Sequence, residues 1–301
     1  MPSPDHRLPL AEGAALALVA VACLWFQARL PSHLPTEADD QALAAALQAN
    51  VQPGDVVLLH PWWAERARSL AADQLPITGY QGSERDDLDA FARIWVLEQP
   101  ELPGFDGRAF DAAFLPGRTA EGEAKTFGHY RLTAYRNGRY HPRTFSAQAA
   151  LSTARVGLEG PQGRQDCSFD GRAHRCPNGE VAVEWHEIRF QPRRCIRFYP
   201  PGGDTRLVAE FSNVPAGDAL LLRGGLTWDR GFEKTRSNVE VHAEVNGAPS
   251  AQLTVVAGVE GLMLAKGGPV PEGATVRLWT QTANPELREL CVELDVVKEH
   301  P

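Results

Sequence analysis

The stretch Val239-Glu240-Val241-His242-Ala243-Glu244-Val245-Asn246-Gly247 alternates apolar with other residues and ends on Asn-Gly. Alternation of period two marks a half-buried strand, and Asn-Gly is the strongest short hairpin signal. Strands of the same kind lie on either side: Val181 to Trp185, Cys195 to Tyr199, Arg206 to Phe211, Ala219 to Arg223, Gln252 to Ala257, Thr275 to Thr280 and Leu290 to Val297. Gly, Pro, Asn and Asp turns separate them. No convincing helix intervenes. Residues 166–301 therefore read as an all-β sandwich of jelly-roll type.

Upstream the texture differs. Asp40 to Asn50 has a helical Ala/Leu pattern, Pro53-Gly54-Asp55 turns, and Val56-Val57-Leu58-Leu59-His60 follows as a buried strand. Ala64 to Ala72 and Asp86 to Phe91 read as helical, Arg93 to Leu97 as another apolar strand, and His129 to Tyr135 as the last. Strands alternating with helices predict an α/β domain with a small open sheet over residues 36–145. Residues 146–165, rich in Ala, Gly and Gln without strong periodicity, are expected to be a linker.

At the amino terminus, Gly13 to Phe26 is an uninterrupted apolar run of 14 residues. That is short of the roughly 20 that cross a bilayer, but Leu8 to Leu30 suffices if Glu12 sits at the interface. Residues 8–30 are thus expected to be a membrane anchor or a signal segment. Ala20-Val21-Ala22 before Cys23 also fits a cleavage or lipidation site. The remaining cysteines, Cys167, Cys176, Cys195 and Cys291, are even in number and confined to the second half. Paired cysteines persist in oxidising compartments, so the bulk of the chain is expected outside the cytoplasm. The expected pairs are Cys167 with Cys176 across a short loop, and Cys195 with Cys291 fastening the closing edge of the sandwich. A zinc site of Cys167, His174 and Cys176 is the rival, against which the wide cysteine spacing argues.

The chain of 301 residues carries a formal charge of -8 and no clustered basic face, which argues against a nucleic-acid partner. No G-x-S-x-G elbow, H-E-x-x-H, P-loop or G-x-G-x-x-G occurs, so no cofactor and no catalytic residue is assigned.

Two groups remain as candidate ligand sites. His60, Trp62, Trp63, Glu65 and Arg66 follow the carboxyl end of a buried strand, where open α/β sheets place their crevices. There indole faces and a guanidinium would meet a sugar, and His60 would serve as acid or base; the competing reading is that the tryptophans pack the next helix. Trp228, Asp229 and Arg230 occupy a loop between sandwich strands, a usual address for recognition. Two other clusters are weaker. Asp86, Asp87 and Asp89 invite a metal but fit better as an acidic first helical turn. In Glu184-Trp185-His186-Glu187 alternation points the two carboxylates opposite ways, so a solvated strand with a buried Trp185 is expected.

Pro53-Gly54-Asp55-Val56-Val57, His60-Pro61-Trp62 and Arg93-Ile94-Trp95-Val96-Leu97 resemble the soluble segment that follows the spans of dolichyl-phosphate-mannose-type membrane glycosyltransferases. The catalytic carboxylates of that family sit in loops among the spans, which these motifs do not include. The resemblance implies a scaffold near glycan chemistry and carries no catalytic residue over. Asn213-Val214-Pro215-Ala216-Gly217, Leu222 to Leu226, Val239 to Gly247 and the cysteine-bearing last strand resemble galactose-binding-like jelly rolls, which often bind sugars through loops at one end. The expected function is a membrane-anchored extracytoplasmic binding or accessory protein of the envelope, with glycans or envelope components as partners. An enzyme acting on sugars or lipid-linked sugars and a structural envelope module are the alternatives.

Overall fold

The computed structural model describes residues 7–29, 34–70, 77–79, 87–102, 105–188, 191–227, 236–258 and 261–299. The chain divides into two compact units, one of residues 1–80 and 94–136 and the other of residues 81–93 and 137–301.

In the first unit, helix α1 (Arg7–Arg29) carries the apolar run. Its Glu12–Arg29 window, of mean hydropathy 1.3, makes it long and apolar enough to cross a membrane, the one such helix among the described residues. Leu16, Leu18, Leu24, Trp25 and Phe26 are all exposed along it, and the Arg29 guanidinium lies over the Trp25 ring, 4.6 Å from its centroid. Helix α2 (Glu37–Asn50) begins with a capping box: Asp39 N–H donates to the Thr36 hydroxyl and Thr36 N–H to the Asp39 carboxylate. Its buried face, Leu43 and Leu47, joins a core with Val57, Leu59, Trp95 and Leu132.

Strand β1 (Val56–His60) is buried throughout and lies parallel to β2 (Ile77–Gly79) and β3 (Arg93–Glu98). The Pro53-Gly54-Asp55 turn sets this register. Gly54 sits at φ 91°, which favours glycine, and the Asp55 carboxylate accepts from Gln52 N–H and from the Trp95 indole, each at 2.9 Å. Helices α3 (Glu65–Leu70) and α4 (Gly107–Phe114) follow β1 and β3. Strands β4 (Arg118–Ala120), β5 (Lys125–Phe127) and β6 (Tyr130–Asn137) complete a six-stranded sheet ordered β2-β1-β3-β6-β4, with β5 on β6.

The second unit is a β-sandwich. Its larger sheet has eight strands in the order β10 (Ser168–Phe169), β11 (Ala173–Cys176), β12 (Gly179–Ile188), β13 (Gln191–Phe198), β20 (Leu290–Val297), β15 (Ala219–Leu226) and β18 (Met263–Gly267), with β7 (Arg143–Ser146) also on β20. The smaller has six: β17 (Ala248–Val255), β16 (Val239–Val245), β19 (Ala274–Thr282), β14 (Arg206–Val214), β8 (Arg155–Gly160) and β9 (Gly163–Asp166). Alternate residues of both sheets, among them Val181, Phe198, Leu222, Val241, Leu253, Leu278 and Leu294, fill one apolar core. The β16–β17 hairpin turns on Asn246 and Gly247 at φ 52° and 80°, the left-handed pair that Asn-Gly supplies. In the Asn213-to-Gly217 motif, β14 loses register after Phe211, and a Cβ on Gly217 would stand 2.4 Å from Val296. Only glycine passes there.

The two disulfides are Cys167–Cys176 and Cys195–Cys291, the pairing expected from the sequence. Both candidate zinc thiols are consumed by the first, and His174 is buried with its Nε2 2.9 Å from the Leu151 carbonyl oxygen, so the zinc reading falls. The second joins β13 and β20, neighbours in the interior of the larger sheet, and not a closing edge.

Three further expectations change. Residues 146–165 are no linker: they hold a helical turn (Ala147–Ala150), β8 and most of β9, and β8 pairs along β14. Composition hid this, because glycine there serves packing; a Cβ on Gly157 would come 2.8 Å from the Gln165 carbonyl oxygen. Trp185 is 69% exposed, since β12 and β13 continue as a ribbon past the core. Of the Asp86-to-Phe91 patch, the described residues 87–91 form only a 3-10 turn, Leu88–Ala90, so Asp87 opens no α-helix.

Candidate functional site

The first candidate crevice disperses. His60 ends β1 with its ring stacked on Phe110, centroids 4.3 Å apart, and against Phe105 at 4.5 Å. Burial holds its pKa below the usual histidine value, against the pull of the Glu98 carboxylate. Arg66 is engaged elsewhere: its Nε and Nη2 donate to Asp40 Oδ2 at 2.9 and 2.5 Å, while the Tyr130 hydroxyl donates to Asp40 Oδ1 at 2.9 Å. Trp62 is half-buried and meets the exposed Trp63 edge-on at 5.6 Å. Glu65 opens α3, and its side chain lies outside the described residues. An imidazole packed between phenyl rings and a guanidinium spent on a helix carboxylate hold this corner together; they do not converge on a substrate. The second candidate, Trp228, Asp229 and Arg230, lies outside the described residues, as do Glu84, Arg85 and Asp86.

The outward face of the eight-stranded sheet is the better site. Strand alternation sends Leu220 and Leu222 of β15 and Leu294 and Val296 of β20 into the core, and turns Leu221, Arg223, Glu293, Asp295 and Val297 away from it. Those charges would be expected in water, yet Arg223 and Asp295 are only 5% and 7% exposed. They are covered by the Leu88–Ala90 turn and the segment after β6, which fasten each other. The Asn137 amide donates to the Leu88 and Phe91 carbonyls at 2.9 and 3.0 Å, and His141 N–H donates to the Asp89 carbonyl at 2.7 Å.

Beneath this cover runs a chain of ion pairs. Arg193 on β13 grips Asp87 with both terminal nitrogens and lies 3.5 Å from Glu293. Arg223 stands 3.7 Å from Asp87 and 3.5 Å from Asp295, and Arg143 Nε is 3.6 Å from Asp295 Oδ1. Burial works to lower the Arg193 pKa, but Asp87 and Glu293 override it and hold the guanidinium above its usual range. Burial pushes Glu293 and Asp295 above the usual carboxylate range; Arg193 and Arg223 oppose it at Glu293, and Arg143, Arg223 and the Ser146 hydroxyl at Asp295.

At one end the row opens into a hollow of about 180 Å³. Ala90, Leu221, Leu264 and Val297 give it apolar walls, and Arg143, Arg223, Lys266, His141, Asp89, Asp295 and Glu299 line it with polar groups. Lys266 pairs with Glu299 at its mouth. Among the described residues, His141 Nδ1 and Asp295 Oδ1 are buried without a hydrogen-bond partner. Hydroxyl-bearing ligands suit such a surface, which offers donors, acceptors and an aliphatic wall together.

No protein-family model and no curated protein matches the chain. Its neighbours among solved structures include carbohydrate-binding modules and also catalytic domains, among them that of a GH87 alpha-1,3-glucanase in complex with nigerose. The CBM51-2 and INT domains of Clostridium perfringens ZmpB, in complex with GlcNAc, match at 10% identity and TM-score 0.33 over 60% of this chain. The chain spans only 41% of that structure's length. CBM51 from Clostridium perfringens GH95, in complex with methyl-galactose, matches at 9% identity and TM-score 0.26, covering 48% of this chain and 78% of that one. The xylan-binding module CBM15 matches at 9% and 0.28, covering 48% and 93%. These likenesses add no residue to the site, and they lend no support to the glycosyltransferase resemblance of the first unit.

Sequence reading passed over this face, although a signal is present. In Leu290-Cys291-Val292-Glu293-Leu294-Asp295-Val296-Val297, two acids occupy alternate positions of an otherwise apolar strand, and Arg223 directly follows the apolar run Leu220-Leu221-Leu222. Charges at one parity of a core strand mark an outward face that something polar must cover.

Proposed function

We propose that this chain is a glycan-binding accessory protein of the cell envelope, tethered by α1, with both folded units outside the cytoplasm. The observation that carries the reading is the hollow on the outer face of the eight-stranded sheet, where buried polar groups without partners sit beside an aliphatic wall. Tethering rests on a 23-residue helix whose Glu12–Arg29 window has no buried residue, and the extracytoplasmic side on two disulfides in the sandwich. The enzyme alternative has less support, because His60 and Arg66 are committed to internal packing and pairing.

The test is a glycan array probed with the full chain in a detergent without a sugar headgroup. GlcNAc, galactose and xylan, the kinds of ligand named for the structural neighbours, belong among the probes. Reproducible binding to at least one neutral glycan is expected. Binding to none of them puts the structural-module reading in its place.

A further inference from the structure

Resting on that reading, we infer that the hollow takes a single neutral pyranose ring, held by hydroxyl hydrogen bonds to Asp295, Arg143 and His141 with its C–H face against Leu264. Size limits the ligand first. About 180 Å³ is well below the roughly 300–1,000 Å³ of sites for drug-sized molecules, which leaves room for one ring and not for a chain segment.

Charge limits it next. Three cations, Arg143, Arg223 and Lys266, face three carboxylates, Asp89, Asp295 and Glu299. Asp295 lies between Arg143 and Arg223, and Lys266 is paired with Glu299. An acidic or amino sugar would bring a net charge into a balanced site and break one of these pairs. A neutral hydroxyl both donates and accepts, so it can add to a pair without breaking it.

The unpartnered atoms show where it would act. Asp295, its side chain 9% exposed, has an Oδ1 without a hydrogen-bond partner, and Arg143 Nε stands 3.6 Å away. A hydroxyl placed there donates to Oδ1 and accepts from the half-exposed guanidinium. His141 Nδ1, buried and likewise without a partner among the described residues, supplies a second polar contact in the lining of the hollow. Leu264 on the edge strand β18 is 46% exposed, a large aliphatic surface at the mouth with no packing role that demands it. A sugar ring's C–H face would cover it.

Calorimetry of the full chain in the same detergent tests this with methyl glucopyranoside, methyl galactopyranoside, methyl mannopyranoside and methyl glucuronide as probes. At least one neutral glycoside is expected to bind, with glucuronide at least tenfold weaker. Asp295→Asn, which removes the charge and leaves one acceptor oxygen where the carboxylate had two, is expected to weaken binding at least tenfold. Leu264→Trp, at an exposed position that leaves the core untouched, fills the mouth and is expected to do the same. Because Asp295 is buried, the second variant keeps the test valid if the first fails to fold. Glycan binding on the array that neither folded variant weakens overturns this site and leaves the proposed function standing. Tighter glucuronide binding overturns the neutral-sugar assignment. No binding to any glycoside, alongside positive array binding, overturns the single-ring assignment.

Discussion

Replacing Cys195 and Cys291 together by alanine is expected to lower the unfolding free energy of the sandwich unit by about 5 kcal/mol, measured by urea denaturation. The bridge spans 96 residues, and closing a loop of that size in the unfolded chain is worth about 4.7 kcal/mol on the chain-entropy account. Cys167–Cys176 spans only 9, for which the same relation gives about 2.6 kcal/mol. The order of the two double variants is therefore fixed in advance. Packing widens the gap: Cys195 and Cys291 are fully buried against Ile188 and Leu262, while Cys167 and Cys176 are half-buried. A smaller loss for the Cys195/Cys291 variant than for the other would show that the sheet holds its register unaided at β13 and β20.

Arg193→Ala is expected to cost about 3–5 kcal/mol, the usual penalty for stripping the partner from buried charges. Arg193 has a side chain only 10% exposed and serves Asp87 and Glu293, which are 20% and 12% exposed. Without it Asp87 keeps Arg223 at 3.7 Å, and Glu293 keeps it only at 4.0 Å. Arg193→Lys is expected to lose less, since charge survives and only the two-pronged grip on Asp87 is gone. The pH dependence follows from Glu293. Its folded-state pKa is already raised by burial, so the stability it contributes is greatest below its unfolded pKa and is lost as pH rises through the folded value. Removing Arg193 raises that folded pKa further. The deficit of the variant should therefore shrink as pH is lowered from 7.5 toward 5, and a deficit independent of pH would mean that Glu293 is not the charge left exposed.

Much of the sandwich was legible because its strands obey period two. The eight strands expected in residues 166–301 all occur, and Asn246-Gly247 turns as its residues require. What stayed hidden is what alternation cannot express. Edge strands such as β9, β10 and β18 are short and mixed in composition, and a glycine such as Gly157 reads as a loop until its neighbour's carbonyl is known. Trp185 was expected inside, because a large aromatic on a strand normally is; nothing local says that the ribbon outruns its core.

The site was less legible than the fold. His60 to Arg66 concentrated the eye-catching side chains, but stacking on Phe105 and Phe110 and pairing with Asp40 arise from residues 26 to 50 positions away. The outer-face hollow joins Asp89, His141, Arg143, Arg223, Lys266 and Asp295, a set assembled across 206 positions of sequence. No motif spans that distance. Only the misplaced charges in β15 and β20 hint that their face is covered.

The most direct measurement is a crystal structure of the full chain soaked with the neutral methyl glycoside that binds best in calorimetry. The expected density is one pyranose against Leu264, with a hydroxyl between Asp295 Oδ1 and the Arg143 guanidinium. A sugar bound instead at Trp62 and Trp63, or at Trp228 to Arg230, with the hollow holding only water, would contradict it.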